Sequence, residues 1–373
     1  MSMKKFCFVT SATRNEKLVV PRRQAQTLVQ EGYDVYFCVS DNGLIETIDD
    51  ITYYPSGYSG GGYFKKIGAL SLLMRKAVFS IDADIYQIES PSFLNIGEKL
   101  KKRGKKVLFS CLEGYPYNYY SKTKLPKLIT HFYVSYLAQR MKTALKKYDA
   151  VFTVSEDIIE YMKGWGLNNI VLLGNFPEVN KNYQLSEEEY LNRENRVIYY
   201  GHIPSSSRQN NVIQAISEIK DVKYLLAGKF WSKEYQMQLQ SLEGWQNVEF
   251  IDGFERSRLP EILSRCTISN TARDLSRTKS SNGSLGILKI FESMEAALPV
   301  ILVDLPVYRK LVEEYNCGVL VDVNNVESIK EAIQYLVSHK EEAYKMGQNG
   351  RRAVIEKYSW DQVSKTYLSY VNN

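Results

Sequence analysis

The stretch GILKIFESMEAALPVILVD, residues 286–304, places two carboxylates, Glu292 and Glu295, just ahead of an apolar run that reads as a buried strand. Burial disfavours an ionised carboxylate, so one at the mouth of such a strand needs a partner. Either Glu292 accepts hydrogen bonds from a ligand, or it is a solvated helix residue paired with Lys289 three positions earlier. The apolar strand behind it favours the ligand. Other residues offer less. Asp82 and Asp84 invite a metal, yet they directly precede the strand IYQIE, where acids commonly close a turn. The glycine-rich SGYSGGG at 56–62 follows a Pro-Ser turn and reads as a loop, not a phosphate cradle. No G-x-G-x-x-G follows a strand and opens a helix, which argues against a dinucleotide dehydrogenase. The histidines supply no obvious general base: His131 lies in a basic stretch, His339 in a C-terminal helix and His202 in a loop.

The elements that must position these residues alternate along the chain. FCFVTS is followed by the helical PRRQAQTLVQEG and by YDVYFCVS; DIYQIE, SFLNIGEKLKKRG and KKVLFSCLE repeat the rhythm, as do YDAVFTVS, EDIIEYMKGWG and NIVLLGN. Such alternation with short connections predicts parallel sheet covered by helices. The rhythm breaks at 177–195, PEVNKNYQLSEEEYLNREN, and restarts with RVIYYG, KYLLAGKF, VEFIDGF, TISNTA, PVILVD and CGVLVDV. The expectation is an α/β protein with two doubly wound Rossmann-like domains, 1–178 and 179–356. Residues 357–373 form a last helix that crosses back to the first domain. Ligands of such sheets bind at the carboxyl ends of the strands, here in a cleft between domains.

Bulk properties agree. A chain of 373 residues is long for one core and suggests two domains of about 150–200 residues. No run reaches the ~18 apolar residues of a membrane span, and the N-terminal MSMKKFCFVTSATRNEK reads as a first strand. Cys7, Cys38, Cys111, Cys266 and Cys317 are scattered without zinc or disulfide spacing, which points to a reducing cytoplasm. The 28 tyrosines suit sugar surfaces and membrane interfaces, or reflect compositional habit. Residues 1–178 hold 24 Lys+Arg against 17 Asp+Glu, the remainder 24 against 25. Within 99–147 there are 13 basic residues and one acid, Glu113. There KLPKLITHFYVSYLAQRMKTALKK interleaves charge with aromatic and aliphatic residues. Lys101, Lys102, Arg103, Lys122, Lys124, Lys127 and Arg140 are the expected contacts to an anionic membrane or an acceptor. The plain alternative is a solvated helix face. The same charge would also hold nucleic acid, but no nucleic-acid module is recognisable, so none is expected as a partner.

These pieces together resemble a GT-B glycosyltransferase of the family 4, group 1 type, over most of the chain. PRRQAQTLVQEGYDVYF resembles that family's first helix and following strand, DIYQIESP its second-strand motif, and VLFSCLEGYP a strand with an acidic-aromatic ending. YDAVFTVSEDIIEYM resembles the last strand and helix of the acceptor domain. VIYYGHI, LLAGK, VEFIDGF and LPEIL come next in family order, and GILKIFESMEAALPVILVD with CGVLVDV is the strongest match.

The resemblance implies roles. Glu292 would accept hydrogen bonds from both ribose hydroxyls of a nucleotide. Backbone N–H groups around Gly286, Ile287 and Leu288 would meet the diphosphate at a helix start, with small residues in SNGSLG admitting it. Base contacts would be largely backbone, near Gly253 and Phe254. Arg208 and Lys289 are the candidates for leaving-group charge, with Lys229 behind them. The pattern departs in three places. Ser284 stands where a second glutamate is usual, eight residues before Glu292. His202 stands where arginine is common, and Leu112 where histidine often precedes the acid kept here as Glu113. His202 could still donate to phosphate or have no role; Glu113 either positions the acceptor or satisfies a strand-end amide.

The activity implied by this resemblance is that of a retaining, metal-independent hexosyltransferase without cofactor. It would use a nucleotide-diphosphate sugar, UDP- favoured over GDP-, and act on a lipid-linked or surface-polysaccharide glycan at the inner face of the membrane. Ser284, His202 and Leu112 motivate an alternative, a catalytically silent subunit that stabilises a partner glycosyltransferase. A sugar-nucleotide epimerase ranks third.

Overall fold

The computed structural model describes residues 3–14, 19–59, 63–112, 114–117, 126–275 and 282–373. Glu113, Lys122 and Lys124 lie outside the described residues, as does part of the 56–62 loop. The chain divides into two compact units, Met1–Gly174 with Ser364–Asn373, and Asn175–Val363.

The first unit holds β1 (Lys5–Val9), β2 (Asp34–Val39), β3 (Glu46–Ile48), β4 (Ile51–Pro55), β5 (Ile85–Ile88), β6 (Lys106–Cys111), β7 (Ala150–Thr153) and β8 (Ile170–Leu172). Their order in the sheet is β3-β4-β2-β1-β5-β6-β7-β8, parallel throughout except for the β3–β4 pair. Central strands such as β1 and β5 are buried at successive positions because helices cover both faces. The order reverses between β1 and β5.

The second unit holds β9 (Arg196–Ile203), β10 (Lys223–Phe230), β11 (Val248–Asp252), β12 (Ile268–Asn270), β13 (Val300–Val303) and β14 (Gly318–Val321), in the order β11-β10-β9-β12-β13-β14 and wholly parallel. This is the doubly wound order, with its switch point between β9 and β12. Alternation along β9 explains the double cover. Val197 and Tyr199 join one core with Ile213, Ile216, Ile329 and Ile333, while Ile198 and Tyr200 join another with Leu259, Ile262 and Leu263. Residues 175–178 belong to this unit because Phe176 packs its ring on Phe291 and Tyr358, 4.7 and 5.3 Å away.

The last helix, Trp360–Asn372, starts in the second unit, where the Trp360 N–H donates to the Pro177 carbonyl (2.8 Å). Its end belongs to the first unit: Tyr367 is fully buried against Phe152, and the Val371 carbonyl accepts from Lys106 Nζ (3.0 Å). Among the described residues, no helix is long and apolar enough to cross a membrane.

Candidate functional site

In a doubly wound sheet the crevice for ligand lies outside the carboxyl ends of the strands where the order reverses. In the second unit those ends are Gly201–Ile203 of β9 and the loop after β12. Backbones crowd there. A side chain at Gly228 would strike the Gly201 carbonyl, so β9 and β10 approach closely at their ends.

The helix Leu288–Glu295 delivers Lys289 and Glu292 to this edge. It forms because Ile290, Phe291 and Met294 make one buried stripe at helical spacing. No side chain caps its start at Ile287, leaving first-turn N–H groups for an anion. The two residues do not pair with each other, contrary to the helix-surface alternative. Lys289 lays its ammonium over the Tyr199 ring, 3.5 Å from the centroid, with Tyr200 at 5.5 Å. Burial, and then the nearby charge of Arg273, push its pKa down to about 7. Glu292 is only 7% exposed, and its carboxylate meets the guanidinium of Arg256, from the turn after β11. Tyr200 donates its hydroxyl to the Lys289 carbonyl (2.9 Å) and stands 3.4 Å from Glu292 Oε2. Glu295, one turn on, has a structural role: it accepts from Arg351 (2.8 Å) and from the Asn180 N–H (3.0 Å).

Other expected residues differ in detail. Ser284 Oγ accepts from the Gly286 N–H (3.1 Å), so one anticipated phosphate donor is held by the serine that replaces the acid. The Gly253 N–H donates to the Gly228 carbonyl (3.1 Å), and Phe254 is half-buried beside Ile251 and Leu259. Arg208 has left-handed backbone (φ 51°) and is ion-paired with buried Asp274 (2.5 Å), which offsets its charge. His202 is exposed, its ring 6.1 Å from that of Trp231, itself 71% exposed.

Three residues here escape sequence reasoning. Arg273, after β12, acts on Lys289 at the switch point, and its Nε is buried without a partner among the described residues. Arg256 looks like one more surface arginine in FERSRL until the fold brings its side chain to Glu292. The third is Glu89, which comes after β5 at the switch point of the first sheet, its N–H bonded to Val9 O (2.9 Å). Gln87 Nε2 donates to it (2.6 Å) and to Gln24 Oε1 (2.8 Å), and Tyr367 OH donates to Gln87 Oε1 (3.0 Å). Burial raises the Glu89 carboxyl to about 7, opposed by the Gln87 bond. The only signal in the sequence is an acid closing DIYQIE.

The basic stretch is less free than its composition suggests. Lys101 pairs with Asp149 (2.8 Å), Arg140 with Glu98 (2.7 Å), and Arg103 lies over the Phe79 ring, so acids and rings from outside 99–147 absorb three of the expected contacts. Lys102 and Lys127 remain exposed. The helix Lys127–Leu145 has two apolar faces. Thr130, Val134, Leu137 and Met141 are buried, while Leu128, Ile129, Phe132 and Tyr136 are between 52% and 68% exposed.

The fold defines the class first: two Rossmann-like units in the GT-B manner. The chain superposes on sucrose-phosphate synthase from Thermosynechococcus elongatus with a TM-score of 0.76 at 14% identity, over 99% of this chain and 98% of that one. Anabaena HepE, solved in complex with UDP and glucose, gives 0.70 at 12% identity, over 99% of each chain. WaaG, a glycosyltransferase involved in lipopolysaccharide biosynthesis, gives 0.68 at 12% identity, over 97% and 98%. At such identities the likeness is one of fold. No curated protein matches the chain in sequence. Residues 183–353 match the family Glycosyl transferases group 1.

Proposed function

We propose that the chain transfers a sugar from a nucleoside diphosphate, UDP, to a hydroxyl of a lipid-linked or surface-polysaccharide glycan, retaining anomeric configuration and using no metal. The observation that carries this reading is a crowded pair of cations, Lys289 and Arg273, with no carboxylate partner among the described residues, beside an uncapped helix start and the buried carboxylate of Glu292. Like charges crowded at a switch point suit an anion, and a diphosphate is the anion whose sugar leaves. UDP is supported by the complex of the similar HepE.

Each group has a task. The anomeric carbon–oxygen bond to phosphate breaks, and charge grows on the departing diphosphate. Lys289, Arg273 and the helix N–H groups stabilise it without rearranging; one such donor is worth about 10²–10³ in rate. Glu292 takes the ribose diol. The acceptor oxygen bonds to the same face of the anomeric carbon, and its proton goes to the departing phosphate oxygen. On the first unit Glu89 receives a hydroxyl of the acceptor and orients it. The exposed face Leu128–Tyr136, with Lys102 and Lys127 in the same unit, suits an anionic cytoplasmic lipid surface.

Thermal stability with UDP, GDP, TDP and CMP, on wild type and Glu292→Ala, tests the donor site. A ligand at a hundredfold its Kd stabilises by about 2.7 kcal/mol. The expected result is stabilisation of wild type by UDP and loss of that shift in Glu292→Ala. No shift with any nucleotide overturns the reading; binding without transfer or donor hydrolysis points to a silent subunit. Sedimentation with phosphatidylglycerol vesicles tests the membrane face, and Phe132→Asp is expected to abolish it.

A further inference from the structure

Glu292 poses a charge problem that the ribose reading leaves open. A ribose diol is neutral, and a nearly buried carboxylate without a counter-ion takes up a proton instead of accepting two hydroxyls. Lys289, the nearest cation in sequence, is committed to the ring faces of Tyr199 and Tyr200. The counter-ion is Arg256, reaching from the turn Arg256–Arg258 to Glu292 Oε1. Its side chain is 44% exposed, against 9% for that of Glu292, so it approaches from the solvent side. Burial holds its pKa below the ordinary arginine value, offset by Tyr200 and Glu178.

A diol arriving at this pair has two outcomes. Either Arg256 is expelled, or the carboxylate is shared. An ionised carboxylate offers about four lone-pair directions, and one arginine contact leaves the others open. Stripping the half-exposed arginine away leaves the buried charge of Glu292 unpaired, which costs about as much as two hydroxyls donating to a charged group return, so expulsion leaves little net affinity. Sharing keeps both gains. Arg256 also stands in a turn, not in a strand or long helix, so it can shift to make room.

We propose that Arg256 is a positioning residue for the nucleotide: its guanidinium keeps the Glu292 carboxylate ionised and aimed while the ribose diol of a nucleoside diphosphate shares it. This rests on the nucleotide reading above. It makes Arg256 the source of selectivity for an intact diol, with no contact to the base or the phosphates required.

The test is titration calorimetry of the full chain with UDP and with 2′,3′-dideoxy-UDP, on wild type, Arg256→Gln, Arg256→Lys and Glu292→Gln. Wild type is expected to favour UDP by about tenfold or more, the scale of one hydrogen bond to a charged group. Arg256→Gln is expected to lose about that factor for UDP while its affinity for the dideoxy nucleotide stays within about twofold. Arg256→Lys is expected to recover part of the loss, since it restores charge without the fork. Tighter or unchanged UDP binding in Arg256→Gln overturns the proposal, because arginine then competes or is idle. Equal loss of both nucleotides also overturns it, because the role is then general to the loop. Wild type that does not distinguish the two nucleotides, with Glu292→Gln equally indifferent, overturns the ribose reading and this one with it. A Glu292→Gln loss without an Arg256→Gln loss overturns this one alone.

Discussion

The two sheets reverse their order at comparable places, yet the two switch points carry opposite chemistry. In the second unit the edge gathers cations, with Lys289 pushed down to about 7 by burial and by Arg273. In the first it gathers a carboxyl, Glu89, pushed up to about 7 by burial and held by the amide of Gln87. The two edges therefore differ in charge, one crowding two cations and the other burying a carboxyl. The topology supplies the same kind of crevice twice, and the side chains at the strand ends give each its own charge.

That contrast is most easily broken at Lys289. Lys289→Met is expected to lower the transfer rate by about 10²–10³ while leaving acceptor KM nearly unchanged; a rate within twofold of wild type places the leaving-group charge elsewhere. A second effect comes from protonation. A diphosphate favours the ammonium, so UDP affinity is expected to hold below about pH 7 and then fall about tenfold per pH unit. Near pH 8 binding should take up about one proton, measurable by calorimetry in buffers of different ionisation enthalpy, and Lys289→Met should abolish the uptake.

Glu89 sharpens the comparison from the other side. Glu89→Gln is expected to raise acceptor KM about tenfold, with UDP affinity unchanged. A change confined to the nucleotide would remove Glu89 from the acceptor side. The smallest effect is on stability. The Glu89 carboxyl binds its proton more tightly when folded, so its contribution is full below about 4.5 and declines as pH rises to about 7. Lys289 holds its proton less tightly when folded, so its penalty is present below about 7 and fades as pH rises towards 10.5. Urea unfolding across pH should show the first slope flattened in Glu89→Gln and the second in Lys289→Met.

Much of the second unit is legible locally. Ile290, Phe291 and Met294 announce a helix, VILV a buried strand, and Glu292 an acid that needs a partner. Proximity misassigns that partner: Lys289 lies three residues away along the helix surface, but the face of Tyr199 competes for it, and Arg256 arrives from 36 positions upstream. The basic run looks freer along the chain than it is in the fold for a similar reason. Its acids, Glu98 and Asp149, lie just outside the window and fold onto Arg140 and Lys101.

The sequence by itself determined the elements, their alternation, the doubly wound class and the carboxylate–helix motif, because hydrophobic periodicity and helix and strand preferences act over a few residues. Only the tertiary structure decided which strand ends are neighbours, and with them the site. Arg273 and Glu89 are unremarkable along the chain. Arg273 comes to crowd Lys289, and Glu89 comes to be buried, because sheet order puts β12 beside β9 and β5 beside β1, and that order is set by the packing of whole helices on whole sheets.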